Sequence, residues 1–177
     1  AITGVKPGQP EDAFFTITDE SFAGKWKVVV YYPKDFTFVC PTEIVAYDKL
    51  SKDFEDRDAV LMCGSVDNEF SKLAWRQHHE DLGKTNSWMF ADQRKETYDD
   101  EYEVVDGGLA EQLGIINDQG VTWRATFIVD PENVIQHITV NNLDVGRNPD
   151  ETLRILDALQ TGELCACNRT VGGATLG

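Results

Sequence analysis

The chain has 177 residues, which suits one domain with a sizeable core better than a repeat array or a multidomain assembly. Apolar residues make up 41% and charged residues 27%, close to the average of globular proteins, and no apolar run is long enough to cross a bilayer. Acidic residues outnumber basic ones by 31 to 16, so the formal charge of −15 repels phosphate and argues against nucleic acid and anionic membranes as partners.

The first predicted unit is a strand followed by a helix. Val28–Tyr32 is an unbroken β-favouring run, which is typical of a strand buried on both faces. Apolar residues then recur at helical spacing, namely Ile44, Tyr47, Leu50 and Phe54.

A second strand and helix follow in the same order. Ala59–Val66 is again a continuous β-favouring run, and Phe70 and Leu73 begin a helical pattern that Gly83 is expected to end. This alternation of strands and helices predicts an α/β fold.

An acidic segment lies between Thr97 and Gly108. It has no basic residue, and its acidic residues are Asp99, Asp100, Glu101, Glu103 and Asp106. We interpret it as a solvated loop, because charge runs usually are, with a docking surface for a basic partner as the alternative.

Two further strands are predicted at Thr126–Val129 and Val134–Val140. The turn 130–133, with the sequence Asp-Pro-Glu-Asn, joins them into a hairpin.

The last helix has the clearest limits. Asn148 is its predicted N-cap, Pro149 its first residue and Glu151 the partner that completes a capping box, and the helix is expected to run to the Thr161-Gly162 pair. The residues after it have too little apolar content to be core. The sequence therefore predicts a domain over 1–160 and a C-terminal arm over 161–177.

Cys40 is the candidate nucleophile. It lies between the first predicted strand and a helix beginning near Pro41, so its sulfur is expected in the first helical turn, where free N–H groups and the positive dipole end favour a thiolate. Thr37 can turn its hydroxyl toward the sulfur, and Pro33 and Pro41 stiffen the segment. A buried structural cysteine is the alternative interpretation.

Residues 32–43, YPKDFTFVCPTE, resemble the active-site signature of the two-cysteine peroxiredoxins. Further matches at 73–75, 123–130, 145–147 and 162–165 extend this resemblance over nearly the whole chain. It implies a thioredoxin-like fold, with a central mixed sheet flanked by helices and a C-terminal arm.

The resemblance also implies a reaction, the reduction of a peroxide without metal, haem or flavin. Cys40 would attack the O–O bond and become a sulfenic acid. The residues that the resemblance places around it are Pro33, Thr37, Trp75, Arg124 and Glu43, the last as the group that orients the arginine.

Cys165 matches the family's resolving cysteine, which forms a disulfide with the peroxidatic sulfur of a partner subunit. Cys167 departs from the commonest pattern, and we interpret it as a relay of the disulfide to a reductant, with a spare thiol as the alternative. A zinc site is disfavoured because no second Cys or His pair at ligand spacing accompanies the two. Cys63 lies in an apolar strand and is expected to be inert core.

The family's partners are a disulfide reductant and further copies of the chain. The options for the reductant are a thioredoxin-like protein, a flavin-linked disulfide reductase or an alkylhydroperoxidase of the D type, and the expected assembly is a ring of dimers, in particular a decamer. The sparse cysteines favour a cytoplasmic protein with thiol chemistry over a disulfide-stapled secreted domain.

Two other functions compete with the peroxidase. A disulfide oxidoreductase needs Cys-x-x-Cys at the helix start, but Thr37 occupies the first of those positions. A ring-forming holdase chaperone is the alternative from another class, and peroxide consumption compared with suppression of client aggregation separates the two.

Overall fold

A seven-stranded mixed sheet forms the centre of the protein. The computed structural model describes residues 1–7, 11–93, 97–98, 104–106 and 108–177. In chain order its strands are β1 (Ile2–Val5), β2 (Phe14–Ile17), β3 (Trp26–Tyr31), β4 (Ala59–Ser65), β5 (Trp88–Ala91), β6 (Thr97–Tyr98), β7 (Val104–Asp106), β8 (Arg124–Val129) and β9 (Ile135–Asn141). The large sheet has the order β2-β1-β5-β4-β3-β8-β9, while β6 and β7 pair separately.

Helices cover both faces of this sheet. They are α1 (Cys40–Asp48), α2 (Ser51–Glu55), α3 (Glu69–His78), α4 (Leu109–Gln112) and α5 (Pro149–Thr161), with a 3-10 helix at Leu82–Lys84. Residues of α1, α2, α3 and α5 share one apolar core with the sheet, and the α4 region belongs to a second core. The predicted central mixed sheet flanked by helices is confirmed.

The strand order explains how the two halves of the chain meet. β3 is parallel to β4 but antiparallel to β8, with Val30 opposite Thr126. Continuing this register places Arg124, the first residue of β8, beside the end of β3, from which the chain leads into α1. Residues that are more than eighty positions apart in sequence therefore meet where β3 ends and β8 begins.

Several predicted boundaries need correction. The helical pattern from Ile44 to Phe54 is split into α1 and α2. The helix that Gly83 was expected to end stops instead at His78, because His79 adopts an extended conformation (φ −103°, ψ 119°), and Gly83 lies inside the 3-10 helix.

The predicted capping box of α5 is also wrong, although its N-cap is confirmed. The Asn148 side chain accepts a hydrogen bond from the backbone N–H of Asp150. The Glu151 carboxylate instead accepts from Arg154 at 2.6 Å and 2.8 Å, because a guanidinium three residues along the helix outcompetes the cap. The predicted hairpin of β8 and β9 is confirmed, and its turn has Asn133 at a φ of 66°.

The acidic segment contains β6 and β7, which pair antiparallel, so it is not wholly a loop. Its remaining residues, 99–103 and 107, lie outside the described residues. In the described part of the chain, no helix has the length and apolar character needed to cross a membrane.

The chain beyond α5 folds back onto that helix. Gly162 ends the helix in the left-handed region, with a φ of 65°. Arg169 is buried and donates to Asp157 at 2.7 Å, and the backbone N–H of Gly172 donates to the same carboxylate. The division into a domain and an arm near residue 160 stays a prediction.

Candidate active site

Cys40 is the first residue of α1 and is 1% exposed. Pro41 follows it in the first turn, where a missing N–H is tolerated. The sulfur thus lies at the positive end of the helix, among N–H groups without intrahelical acceptors, as the sequence predicted.

Arg124 places a guanidinium against the sulfur. Its Nη1 lies 3.6 Å from Cys40 Sγ and also donates to Glu43 Oε2 at 2.6 Å. Its Nε donates to the carbonyl oxygen of Leu143 at 2.7 Å. Three fixed acceptors hold the planar group in one orientation, so a positive charge faces the sulfur without further rearrangement.

Glu43 joins this arginine to a second one. Arg147 donates from Nε to Glu43 Oε1 at 2.8 Å and from Nη2 to Oε2 at 3.0 Å, and its backbone N–H donates to Oε1 at 2.9 Å. The sequence predicted Glu43 as the partner of Arg124 but assigned no role to Arg147. The only signal for it was the 145–147 match to the family.

These contacts shift the ionisation of the buried groups. Burial alone raises the pKa of Glu43, but hydrogen bonds and charge from Arg147, with charge from Arg124, outweigh it and lower the pKa below its ordinary value. Burial lowers the pKa of Arg124, whereas the hydrogen bond to Cys40 and the charge of Glu43 raise it overall. Glu43 is therefore ionised and Arg124 protonated at neutral pH.

The loop before Cys40 differs from expectation at one residue. Pro33 is buried, whereas Thr37 is half-buried. The Thr37 hydroxyl donates to the carbonyl oxygen of Lys34 at 3.0 Å instead of turning toward the sulfur, because the tight turn brings that acceptor within reach.

Trp75 lies behind the same loop. It is buried, and its ring centroid lies 5.7 Å from that of Phe36 and 5.9 Å from that of Tyr32. The structure therefore places Trp75 as a support under the loop.

The other cysteines have distinct environments. Cys63 is fully buried in β4, and burial raises its pKa to about 12, which makes it inert at neutral pH. Cys165 is half-buried, with its Sγ 3.6 Å from Thr161 Oγ1, and Cys167 is exposed. No disulfide joins any two of the four cysteines within the chain, all of which lie among the described residues.

Substituting Glu43→Gln is expected to lower the free energy of unfolding by about 3 kcal/mol or more at neutral pH, because two buried arginines lose their anion. The wild-type stabilisation is complete above the ordinary carboxyl pKa of 4.5 and is lost as pH falls through the lower folded-state value. Urea unfolding should therefore show the two proteins converging in stability below that ordinary value.

The matched control is Glu151→Gln, which breaks an ion pair with a half-exposed carboxylate on α5. It is expected to cost less than about 1 kcal/mol. Equal losses in the two variants would contradict a buried, ionised Glu43.

A cysteine at a helix start, fixed beside an arginine on a sheet of this topology, defines a thiol-dependent redox protein of thioredoxin-like fold. The AhpC/TSA family model matches residues 8–138, and the chain belongs to this family.

Curated relatives agree over almost the full chain. Alkyl hydroperoxide reductase C of Mycolicibacterium smegmatis is 47% identical over 175 residues, which is 99% of this chain and 84% of that protein. A thioredoxin peroxidase of Trypanosoma brucei rhodesiense is 38% identical over 94% of this chain and 82% of its own length.

Solved structures give the same result. Mycobacterium tuberculosis AhpC superposes with a TM-score of 0.78 at 45% identity, covering 93% of this chain and 90% of that one. A reduced 2-Cys peroxiredoxin of Plasmodium vivax gives 0.81 at 30% identity, with 98% and 86% covered. The predicted family and its thioredoxin-like fold are confirmed.

Proposed function

We propose that this protein is a thiol-dependent peroxidase that reduces hydrogen peroxide and organic hydroperoxides through Cys40. The observation that carries the proposal is the 3.6 Å contact of Arg124 Nη1 with Cys40 Sγ at the first turn of α1. A cation and a helix N-terminus together favour the thiolate, which is the reactive form of cysteine.

In the first step, the Cys40 thiolate attacks one oxygen of the peroxide. The new S–O bond forms as the O–O bond breaks, giving a sulfenic acid, and the leaving oxygen takes a proton and departs as water or alcohol. Arg124 stabilises both the thiolate and the charge that develops on the leaving oxygen.

In the second step, Cys165 of a partner subunit resolves the sulfenic acid. Its thiol sulfur attacks the Cys40 sulfur, the S–O bond breaks, and hydroxide leaves as water with the proton of the thiol. Support comes from the half-buried Cys165 beyond the end of α5 and from the resolving position that it matches.

The same chemistry needs an external reductant. A dithiol reduces the intersubunit disulfide, and exposed Cys167, two residues from Cys165, is suited to pass the disulfide outward. A thioredoxin-like protein, a flavin-linked disulfide reductase or a D-type alkylhydroperoxidase would supply the electrons. We place this cycle in the cytoplasm, where thiols are kept reduced.

We further propose a homodimer that joins into a decameric ring. β9 is an edge strand of the sheet, and it exposes Ile135, Ile138 and Val140. An exposed apolar edge is a ready site for pairing with a second copy. Phe38 and Phe70 are exposed elsewhere and would contribute to contacts between dimers.

Peroxide treatment of the reduced protein is expected to give a covalent dimer on a non-reducing gel, together with peroxide consumption supported by dithiothreitol. Cys165→Ser should sharply reduce the dimer band, with Cys167 substituting in part. Light scattering of the reduced protein should show the ring.

Cys63→Ser is the matched control, and its dimer band should equal that of the wild type because Cys63 is buried and protonated. A peroxide-treated wild type that stays monomeric on the gel would contradict intersubunit resolution. The holdase alternative is not favoured, and suppressed client aggregation without peroxide consumption would be needed to revive it.

A further inference from the structure

A buried ion pair lies behind the loop that leads to Cys40. The side chain of Lys72, on α3, is 0% exposed and that of Asp35 is 2% exposed. Lys72 Nζ lies 3.0 Å from Asp35 Oδ1 and 3.3 Å from Oδ2. Lysine and aspartate are almost never buried this deeply unless they are paired, so removing one partner alone leaves a costly charge.

The surrounding groups match the donors and acceptors of this pair. Lys72 Nζ also donates to Ser65 Oγ at 2.7 Å and to the Tyr32 hydroxyl at 3.4 Å, which gives its three N–H groups three partners. Tyr32 donates to Asp35 Oδ1 at 2.8 Å, and the Asp35 backbone N–H donates to Asp67 Oδ2 at 2.7 Å. Asp35 is therefore held by the ends of β3 and β4 and by α3.

The chain between Asp35 and α1, in contrast to this buried pair, is partly exposed and contains a strained residue. Phe36, directly after Asp35, is exposed and has a φ of 55°, a strained value for a residue other than glycine. At the other end, α1 is anchored through Glu43 to the two arginines described above. Asp35 and Glu43 are thus two fixed points on either side of a strained segment and of buried Cys40.

Resolution requires this segment to move. A disulfide needs Cα atoms within about 7 Å of each other, and Cys40 is 1% exposed, so a partner's sulfur reaches it only after the first turn of α1 opens. The Glu43 anchor is shared with Arg124, which contacts the sulfur itself. Lys72, in contrast, affects Cys40 only indirectly, because it holds Asp35 at the start of the loop that leads to Cys40.

We propose that Lys72 is a positioning residue for this reaction. By clamping Asp35, it favours the closed loop, in which Cys40 meets peroxide, over the open loop, in which the sulfenic acid meets Cys165. The inference rests on the proposed function and adds the residue that sets the balance between its two steps. Weakening the clamp speeds disulfide formation without speeding the reaction with peroxide.

The test is the double variant Lys72→Met/Asp35→Asn, which removes both charges and leaves an amide oxygen to accept from Tyr32. Rapid-quench gels measure disulfide formation, and competition with a haem peroxidase measures the reaction with hydrogen peroxide. We expect disulfide formation to quicken roughly tenfold, the effect of losing one charge-assisted hydrogen bond from the closed state. The second-order rate constant for peroxide should stay equal or fall.

The matched control is Lys52→Met/Asp56→Asn, which removes an ion pair whose side chains are 80% and 59% exposed. Both of its rate constants should equal those of the wild type. Disulfide formation in the Lys72→Met/Asp35→Asn protein at or below the wild-type rate would overturn the inference, because a merely structural role lowers stability and slows both steps.

If the double variant lacks a cooperative thermal transition, Lys72→Gln/Asp35→Asn keeps hydrogen-bond donors between the two side chains and leaves no unpaired charge in the core. It should quicken disulfide formation in the same direction, and an unchanged rate overturns the inference. A wild-type protein that forms no disulfide with peroxide overturns the proposed function and this inference with it. A cycling wild type with an unresponsive variant overturns the inference alone.

Discussion

Replacing Cys40 by serine is expected to abolish peroxide turnover while leaving the fold intact. A serine hydroxyl near neutral pH does not supply the anion that the start of α1 and Arg124 stabilise, and oxygen does not form a sulfenic acid. The rate of peroxide consumption with dithiothreitol should fall by at least about a thousandfold, as expected for loss of a nucleophile.

The matched control is Cys63→Ser, which removes the other buried thiol, that of β4 in the same apolar core. Its turnover should stay close to that of the wild type. Circular dichroism and thermal unfolding of both variants separate loss of chemistry from loss of structure. Turnover that survives in a folded Cys40→Ser protein would rule out Cys40 as the nucleophile.

Arg124→Ala is expected to slow the reaction of Cys40 with hydrogen peroxide by roughly a hundredfold or more, as when one preorganised donor is lost from an active site. The alanine removes the donor that lies 3.6 Å from the sulfur and also releases one oxygen of Glu43. Competition with a haem peroxidase measures the rate constant of this reaction.

Arg124→Lys is the informative companion variant. It keeps the positive charge but loses the fork that bonds Glu43, Leu143 and Cys40 together, so an intermediate rate is expected. Arg154→Ala, on α5, is the surface control and should react at the wild-type rate. Equal rates for Arg124→Ala and the wild type would contradict the assigned role of Arg124.

The sequence predicts the central strands well because their patterns are decided locally. β3, β4 and β8 each contain a continuous β-favouring run that suits burial on both faces, whatever their neighbours are. Two further features, the turn between β8 and β9 and the N-cap of α5, are predicted because their residues have specific backbone preferences. Cys40 at the first turn of α1 follows from the same local rules.

The outer strands escape prediction because tertiary pairing decides them. β1 and β2 have four residues each, too few for a clear period. Glycine suits position 4 where they pair, since a Cβ on Gly4 would clash with the ring of Phe15. No local pattern reveals so close an approach.

The burial of charged side chains is the other feature that the sequence does not predict. Charged residues of a helix are usually solvated, yet Lys72 and Arg76 are both fully buried on α3. Arg147 forms its ion pair with Glu43 only because the chain after β9 returns to α1. For Thr37 the prediction of a hydroxyl turned toward the sulfur was wrong, because the hydroxyl donates to an acceptor within its own turn.

The two arginines that share Glu43 give the active site a charge balance that oxidation upsets. With Cys40 as a thiolate, the buried cluster holds two negative groups, Cys40 and Glu43, against two positive ones, Arg124 and Arg147. Conversion to a neutral sulfenic acid removes one negative charge and leaves an uncompensated cation in a low-dielectric interior, which is unfavourable. In the proposed reaction, the product of the first step therefore loses the charge balance that favoured its reactant, and this loss favours the opening that resolution by Cys165 requires.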